Sequence, residues 1–158
     1  MTIVPERILV IQTAFIGDVI LATSLLEKIH THLPNAKIDF LVRKGNESLL
    51  ANHPFINELI IWNKLDSKYK SLYKLLKLIR ATKYDAVINT QRFGATGMLT
   101  ALSGAPIRSG FSKNPFSIGF THFFSSKTWK YVFKKAGFQS ITETKFTPYM
   151  SVFNTIKK

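Results

Sequence analysis

Hydrophobic positions along the first two thirds of the chain follow two alternating periods. Segments 7–12 (RILVIQ), 37–42 (KIDFLV), 58–62 (ELIIW) and 85–89 (DAVIN) are short, mostly apolar runs rich in β-branched residues. Strands buried on both faces read this way. Segment 107–111 (IRSGF) is a fifth run of the same length but weaker pattern. Between these runs the period lengthens. From Asp18 onward Val19, Leu21, Ala22, Leu25, Leu26 and Ile29 recur at three- and four-residue spacing, and Pro34-Asn35 ends that helix. Segment 68–82 sets Leu72, Leu75, Leu76 and Ile79 on one face and lysines on the other, which reads as core beneath a solvated face. Segments 45–52 and 96–102 predict two shorter helices. Strand and helix alternate with short connections, which predicts an α/β fold, a Rossmann-like doubly wound parallel sheet.

After Phe111 the pattern dissolves. Segment 128–136 predicts a helix stopped by Gly137, and segment 146–158 shows no partner. The expected organisation is one Rossmann-like domain over 1–115, followed by a basic, aromatic segment over 116–158.

Charge sharpens that division. The 158 residues carry a formal net charge of +13. Residues 1–111 hold 14 Lys/Arg against 8 acids, whereas residues 112–158 hold 8 lysines against the single acid Glu143. Such an excess predicts attraction to polyanions: anionic membrane faces, phosphorylated substrates or nucleic acid. Nucleic acid is not expected, because no recognised binding motif accompanies the charge. With no cysteine there is no disulfide, thiolate metal site or Cys nucleophile, and a cytoplasmic setting is expected. No apolar run reaches the roughly 18 residues needed to span a bilayer, and residues 1–7 lack the basic stretch of a secretory signal.

In open α/β sheets ligands bind beyond the carboxyl ends of the strands. That rule selects Thr13, Gly17 and Asp18 after the first strand, Arg43, Lys44 and Asn46 after the second, and Asn63-Lys64 after the third. It selects Asn89, Gln91 and Arg92 after the fourth, and Gly110 and Lys113 after the fifth. Asp18 has two readings that can coexist. It is a helix N-cap, or a general base held ionised by the helix terminus. Gly17 eases the turn or lets a ligand approach the backbone. Arg43, Lys44 and Arg92 are the cations for a phosphate or carboxylate, or else solvated loop charges. Asn89 and Gln91 suit sugar hydroxyls or the loop's own backbone. The dinucleotide fingerprint and the Walker loop are both absent, so neither NAD nor FAD is expected. No histidine pair has metal-ligand spacing, so no metal site is expected.

Over about residues 7–115 the chain resembles the family 9 glycosyltransferases, the lipopolysaccharide heptosyltransferases. The resemblance rests on "IGDVILAT", "IDFLV", "NHPFINELI", "YDAVINTQR" and "LSGAPIRSGF" in that order. It implies the N-terminal, acceptor-side half of a two-domain GT-B architecture. It also implies inverting, metal-independent transfer of heptose from ADP-heptose to the lipopolysaccharide core, with Asp18 as the base. Such enzymes are about twice this length, and the donor domain is missing here. The lone chain is therefore expected to transfer sugar very slowly or not at all, unless a second chain supplies the donor side. Peripheral contact with the inner face of the inner membrane is compatible with the charge. The alternative is a non-catalytic module for anionic glycolipid or membrane surface, using Lys127, Lys130, Lys134 and Lys135 with Trp129, Tyr131 and Phe133.

Overall fold

A computed structural model describes residues 4–64, 68–124, 138–147 and 150–157. The chain divides into two compact units, Met1–His122 and Phe123–Lys158. In the first, strands β1 (Arg7–Ile11), β2 (Lys37–Arg43), β3 (Glu58–Trp62), β4 (Ala86–Asn89) and β5 (Ile107–Phe111) run parallel. With β6 (His122–Phe124) at the edge, the sheet order is β3-β2-β1-β4-β5-β6. This is the doubly wound order, in which the chain reverses direction across the sheet between β1 and β4.

The two faces of the sheet follow from side-chain alternation. Ile8, Val10, Ile38, Phe40 and Val42 face helix α1 (Ile16–His32), which buries Val19, Ala22, Leu26 and Ile29 against them. Leu9, Ile11, Leu41, Trp62 and Val87 face α2 (Lys68–Thr82) and α3 (Gly94–Ala101) through Leu72, Leu75, Ile79 and Leu99. Each such large side chain contributes roughly 1.5–3 kcal/mol by leaving water. Among the described residues, no helix is long and apolar enough to cross a membrane.

Several boundaries differ from the sequence expectation. Helix α1 begins at Ile16, and its N-cap is Phe15, without a side-chain hydrogen bond. Asp18 therefore lies in the first turn and does not cap the helix. Segment 45–52 winds only into a 3-10 turn at Glu47–Leu49, after Gly45 takes a positive φ of 100° to leave β2. Helix α3 starts at Gly94, two residues early, and packs tightly enough for a Cβ on Gly97 to collide with the Asn114 amide.

In the second unit β7 (Phe138–Thr147) and β8 (Met150–Lys157) pair antiparallel, so most of segment 146–158 has a partner after all. That partner was hidden because β7 reads FQSITETKFT, with too few apolar positions to set a period. The helix expected at 128–136 falls outside the described residues.

Candidate functional site

The crevice between the β1 and β4 loops is where a doubly wound sheet offers a ligand site. Here α1 leaves on one face and α3 on the other, and two side-chain bonds stitch the loops together. Gln12 Nε2 donates to Thr90 Oγ1 at 2.9 Å, and Thr13 Oγ1 donates to Gln91 Oε1 at 2.9 Å. Gln12 Oε1 also accepts from the Ala14 amide at 3.2 Å, and Thr90 Oγ1 donates to the Ile11 carbonyl at 3.0 Å.

Lys64 reaches in from the end of β3. Its Nζ donates to the Thr13 carbonyl at 3.0 Å and to Thr13 Oγ1 at 3.1 Å, and it lies 4.7 Å from the centre of the Trp62 ring. A donor chain thus runs from the Lys64 ammonium through the Thr13 hydroxyl to the Gln91 carbonyl oxygen. A cation at its head polarises each bond in turn. At its far end Gln91 Nε2 is buried with no partner, and so is Asn89 Nδ2 next to it. Asn89 Oδ1 is already taken by the Gln91 amide at 2.9 Å. Among the described residues neither nitrogen has a partner, which is uncommon for buried amides.

Lys64 is only partly exposed, and burial pushes its pKa below the usual lysine value, with the nearby charge of Arg43 adding to the shift. Among the described residues no carboxylate pairs with Lys64 or Arg43; the ion pairs found join Arg7 to Asp39 and Glu58. Two like charges held together without a counter-ion suit an anion. Asn46 fixes the adjacent loop by donating to the Ala14 carbonyl at 3.0 Å. Lys44 anchors by its backbone, which donates to the Trp62 carbonyl at 3.0 Å.

Asp18 is exposed in the first turn of α1, and among the described residues its side chain makes no hydrogen bond or ion pair. A Cβ placed on Gly17 would meet nothing within 4 Å, and its φ lies outside the positive range. Gly17 is thus an ordinary helical residue with open space beside it, and the turn does not depend on it. Arg92 holds its guanidinium 4.8 Å from the centre of the Phe111 ring.

Of the residues selected from sequence, Thr13, Gln91, Asn46 and Arg43 converge around the first loop. Lys64 and Asn89 proved more central than their pattern suggested. The place of Lys64 directly after a strand was the signal that selected it. Two of the four histidines are used in packing: His30 stacks on Phe55 at 4.2 Å, and His53 meets the same ring edge-on at 5.6 Å. Among the described residues, no group of three His, Asp or Glu converges as a metal site would need. The aromatic-basic stretch 127–135 lies outside the described residues.

No family model matches the chain. Among curated proteins it is 32% identical over 98 residues to lipopolysaccharide heptosyltransferase 3 of Escherichia coli, a match covering 60% of this chain and 29% of that protein. It is 26% identical over 118 residues to lipopolysaccharide heptosyltransferase 1 of Campylobacter coli, covering 75% of this chain and 34% of the relative. Among solved structures, the glycosyl transferase family 9 protein of Veillonella parvula superposes with a TM-score of 0.67 at 29% identity, over 76% of this chain and 36% of that one. The ADP-heptose lps heptosyltransferase II of E. coli shares the fold at a TM-score of 0.66 and 23% identity, over 77% of this chain and 36% of that one. The chain thus spans about a third or less of the length of the curated relatives it matches.

Proposed function

We propose that this chain, a relative in sequence and fold of the family 9 glycosyltransferases and lipopolysaccharide heptosyltransferases, forms the acceptor side of a sugar-transfer site. The observation that carries the reading is Asp18. It is an exposed carboxylate, without a partner among the described residues, in the first turn of a helix at the β1–β4 crevice. There it accepts the proton of an acceptor hydroxyl as the oxygen forms a bond to the anomeric carbon. The bond from that carbon to the nucleoside diphosphate breaks, and the leaving group carries away the electron pair. Attack from the face opposite the leaving group inverts the centre.

By the same resemblance the donor is ADP-heptose, the acceptor is the lipopolysaccharide core, and no metal takes part. Lys64 and Arg43, with Lys44 beside them, face the acceptor's acidic groups, while the open amides of Gln91 and Asn89 take its oxygens. Stabilising the departing diphosphate needs cations or N–H groups opposite Asp18. In this reading a separate donor domain supplies them, and the site works at the cytoplasmic face of the inner membrane.

The test is titration of the chain with heptose-free lipopolysaccharide core oligosaccharide, followed by amide chemical shifts. The reading expects the shifts to cluster at Thr13, Asp18, Lys64 and Gln91, and Asp18→Asn to bind within about twofold of the parent. In a transferase completed with a donor domain, Asp18→Asn is expected to lose roughly 10²–10⁴ in kcat. Binding that maps elsewhere, or a completed enzyme indifferent to Asp18→Asn, overturns it. Transfer from ADP-heptose by the 158-residue chain alone would show that no separate donor domain is required.

A further inference from the structure

The helical layers on the two faces of the sheet differ in charge. Across its 15 residues α2 carries five cations (Lys68, Lys70, Lys74, Lys77 and Arg80) and no acid. Its neighbour α3 carries no charge at all. On the opposite face α1 carries Asp18 and Glu27 against Lys28. An ordinary solvated helix intersperses both signs; α2 does not.

A second feature separates α2 from a merely solvated face. Tyr69 is 80% exposed and Tyr73 69% exposed. They stand one turn apart in the same row as exposed Lys77, beside the row of exposed Lys70 and Lys74. The helix's apolar stripe, Leu72, Leu75 and Ile79, is already spent on the core, so these rings are surplus to folding. Arg80 is partly engaged, donating to the Leu102 carbonyl at 3.2 Å.

We propose that the α2 face formed by Tyr69, Lys70, Tyr73, Lys74 and Lys77 docks on the anionic phospholipid surface of a bilayer. Lysines beside a negative leaflet gain electrostatically, and Tyr rings are amphipathic groups suited to the headgroup depth. A nucleic-acid duplex satisfies the lysines but offers no apolar phase for two tyrosines. Helix α2 begins four residues after Lys64 in the chain. The inference stands apart from sugar transfer and fails or survives independently of it.

The experiment is sedimentation of the full chain with vesicles of phosphatidylglycerol and phosphatidylcholine in equal parts, against phosphatidylcholine alone. Binding is expected only with phosphatidylglycerol, and is expected to weaken steeply with salt. The triple variant Lys70→Gln/Lys74→Gln/Lys77→Gln keeps good helix formers, and should lose about a hundredfold in vesicle affinity. The corresponding triple Arg variant should restore it. Tyr69→Ser/Tyr73→Ser, with its charge intact, should lose about tenfold, as expected of rings seated at the interface. Lys28→Gln on α1 should change little. Parental affinity in the triple Gln variant overturns the proposal. So does loss that appears instead on neutralising Lys127, Lys130, Lys134 and Lys135, or displacement of the chain from vesicles by DNA at equal charge.

Discussion

The two edges of the parallel sheet treat their polar groups in opposite ways. At the amino edge everything is closed. Asp39 has no exposure, yet it accepts from Arg7 Nε and Nη2 at 3.2 and 3.0 Å, from Tyr84 Oη at 2.7 Å and from Asn57 Nδ2 at 2.7 Å. Asp85 next to it accepts the backbone amides of Glu6 and Arg7 at 3.0 and 2.9 Å. Among the described residues, polar groups are left over at the carboxyl edge: two buried amide nitrogens and two cations without a carboxylate as donors, and the exposed Asp18 carboxylate as an acceptor. A closed network holds strands together, since removing any member strands the others. An open one gives up stability and keeps its valences for a ligand. The same chain can thus be divided by its hydrogen bonds into a part that maintains the fold and a part that waits for a substrate.

The largest effect should come from breaking the closed edge. Asp39→Ala leaves Tyr84, Asn57 and Arg7 without their common acceptor, and should cost about 3 kcal/mol in chemical unfolding. Tyr84→Phe, at 3% exposure, removes one bond and should cost roughly 1 kcal/mol. The tyrosine also has a pH signature. Burial first, then its hydrogen bond to Asp39, push the phenol above its ordinary value of 10.0, while Arg7 opposes the shift. The folded state therefore holds this proton more tightly than the unfolded chain does. Its contribution is complete below about pH 10 and is lost as pH climbs toward the raised value. Unfolding monitored from pH 9 upward should show a decline in stability that is smaller in Tyr84→Phe.

Much of this contrast was legible before any coordinates. The run ELIIW marked its strand to the residue, and RILVIQ overran β1 by only one residue, because strands inside a parallel sheet read as continuous apolar runs. The carboxyl-edge rule then selected the loops that hold Thr13, Arg43, Asn46 and Gln91. Asp39 was not legible as a hub. Inside KIDFLV it interrupts an apolar run, and its partners Arg7, Asn57 and Tyr84 lie 32, 18 and 45 residues away. Asp18 was misassigned as a cap because Asp favours that position, whereas the helix starts two residues earlier behind Phe15. Lys64 was masked by its composition, one lysine just ahead of a lysine-rich helix. Only the fold shows it bent back over Trp62 onto Thr13.

The smallest predicted effect on stability, and the one that best sharpens the comparison, is at Lys64. Lys64→Met keeps the stem over Trp62 and removes the charge. At the closed edge, losing an ionic partner is expensive. At the open edge the cation is already partly desolvated beside Arg43 and has no counter-ion among the described residues, so unfolding free energy at pH 7 should stay within about 0.5 kcal/mol of the parent, or rise. Binding should move the other way. Affinity for the acidic core oligosaccharide should fall roughly tenfold, the size of one charge-assisted contact. The parent's affinity should also decline as pH rises through the lysine pKa, which burial lowers from its ordinary value of 10.5, because binding an anion requires the protonated form. That decline should vanish in Lys64→Met. A large stability loss with unchanged affinity would instead place Lys64 with the closed network. The carboxyl edge would then be structural on the β3 side and open only at the amides of Asn89 and Gln91.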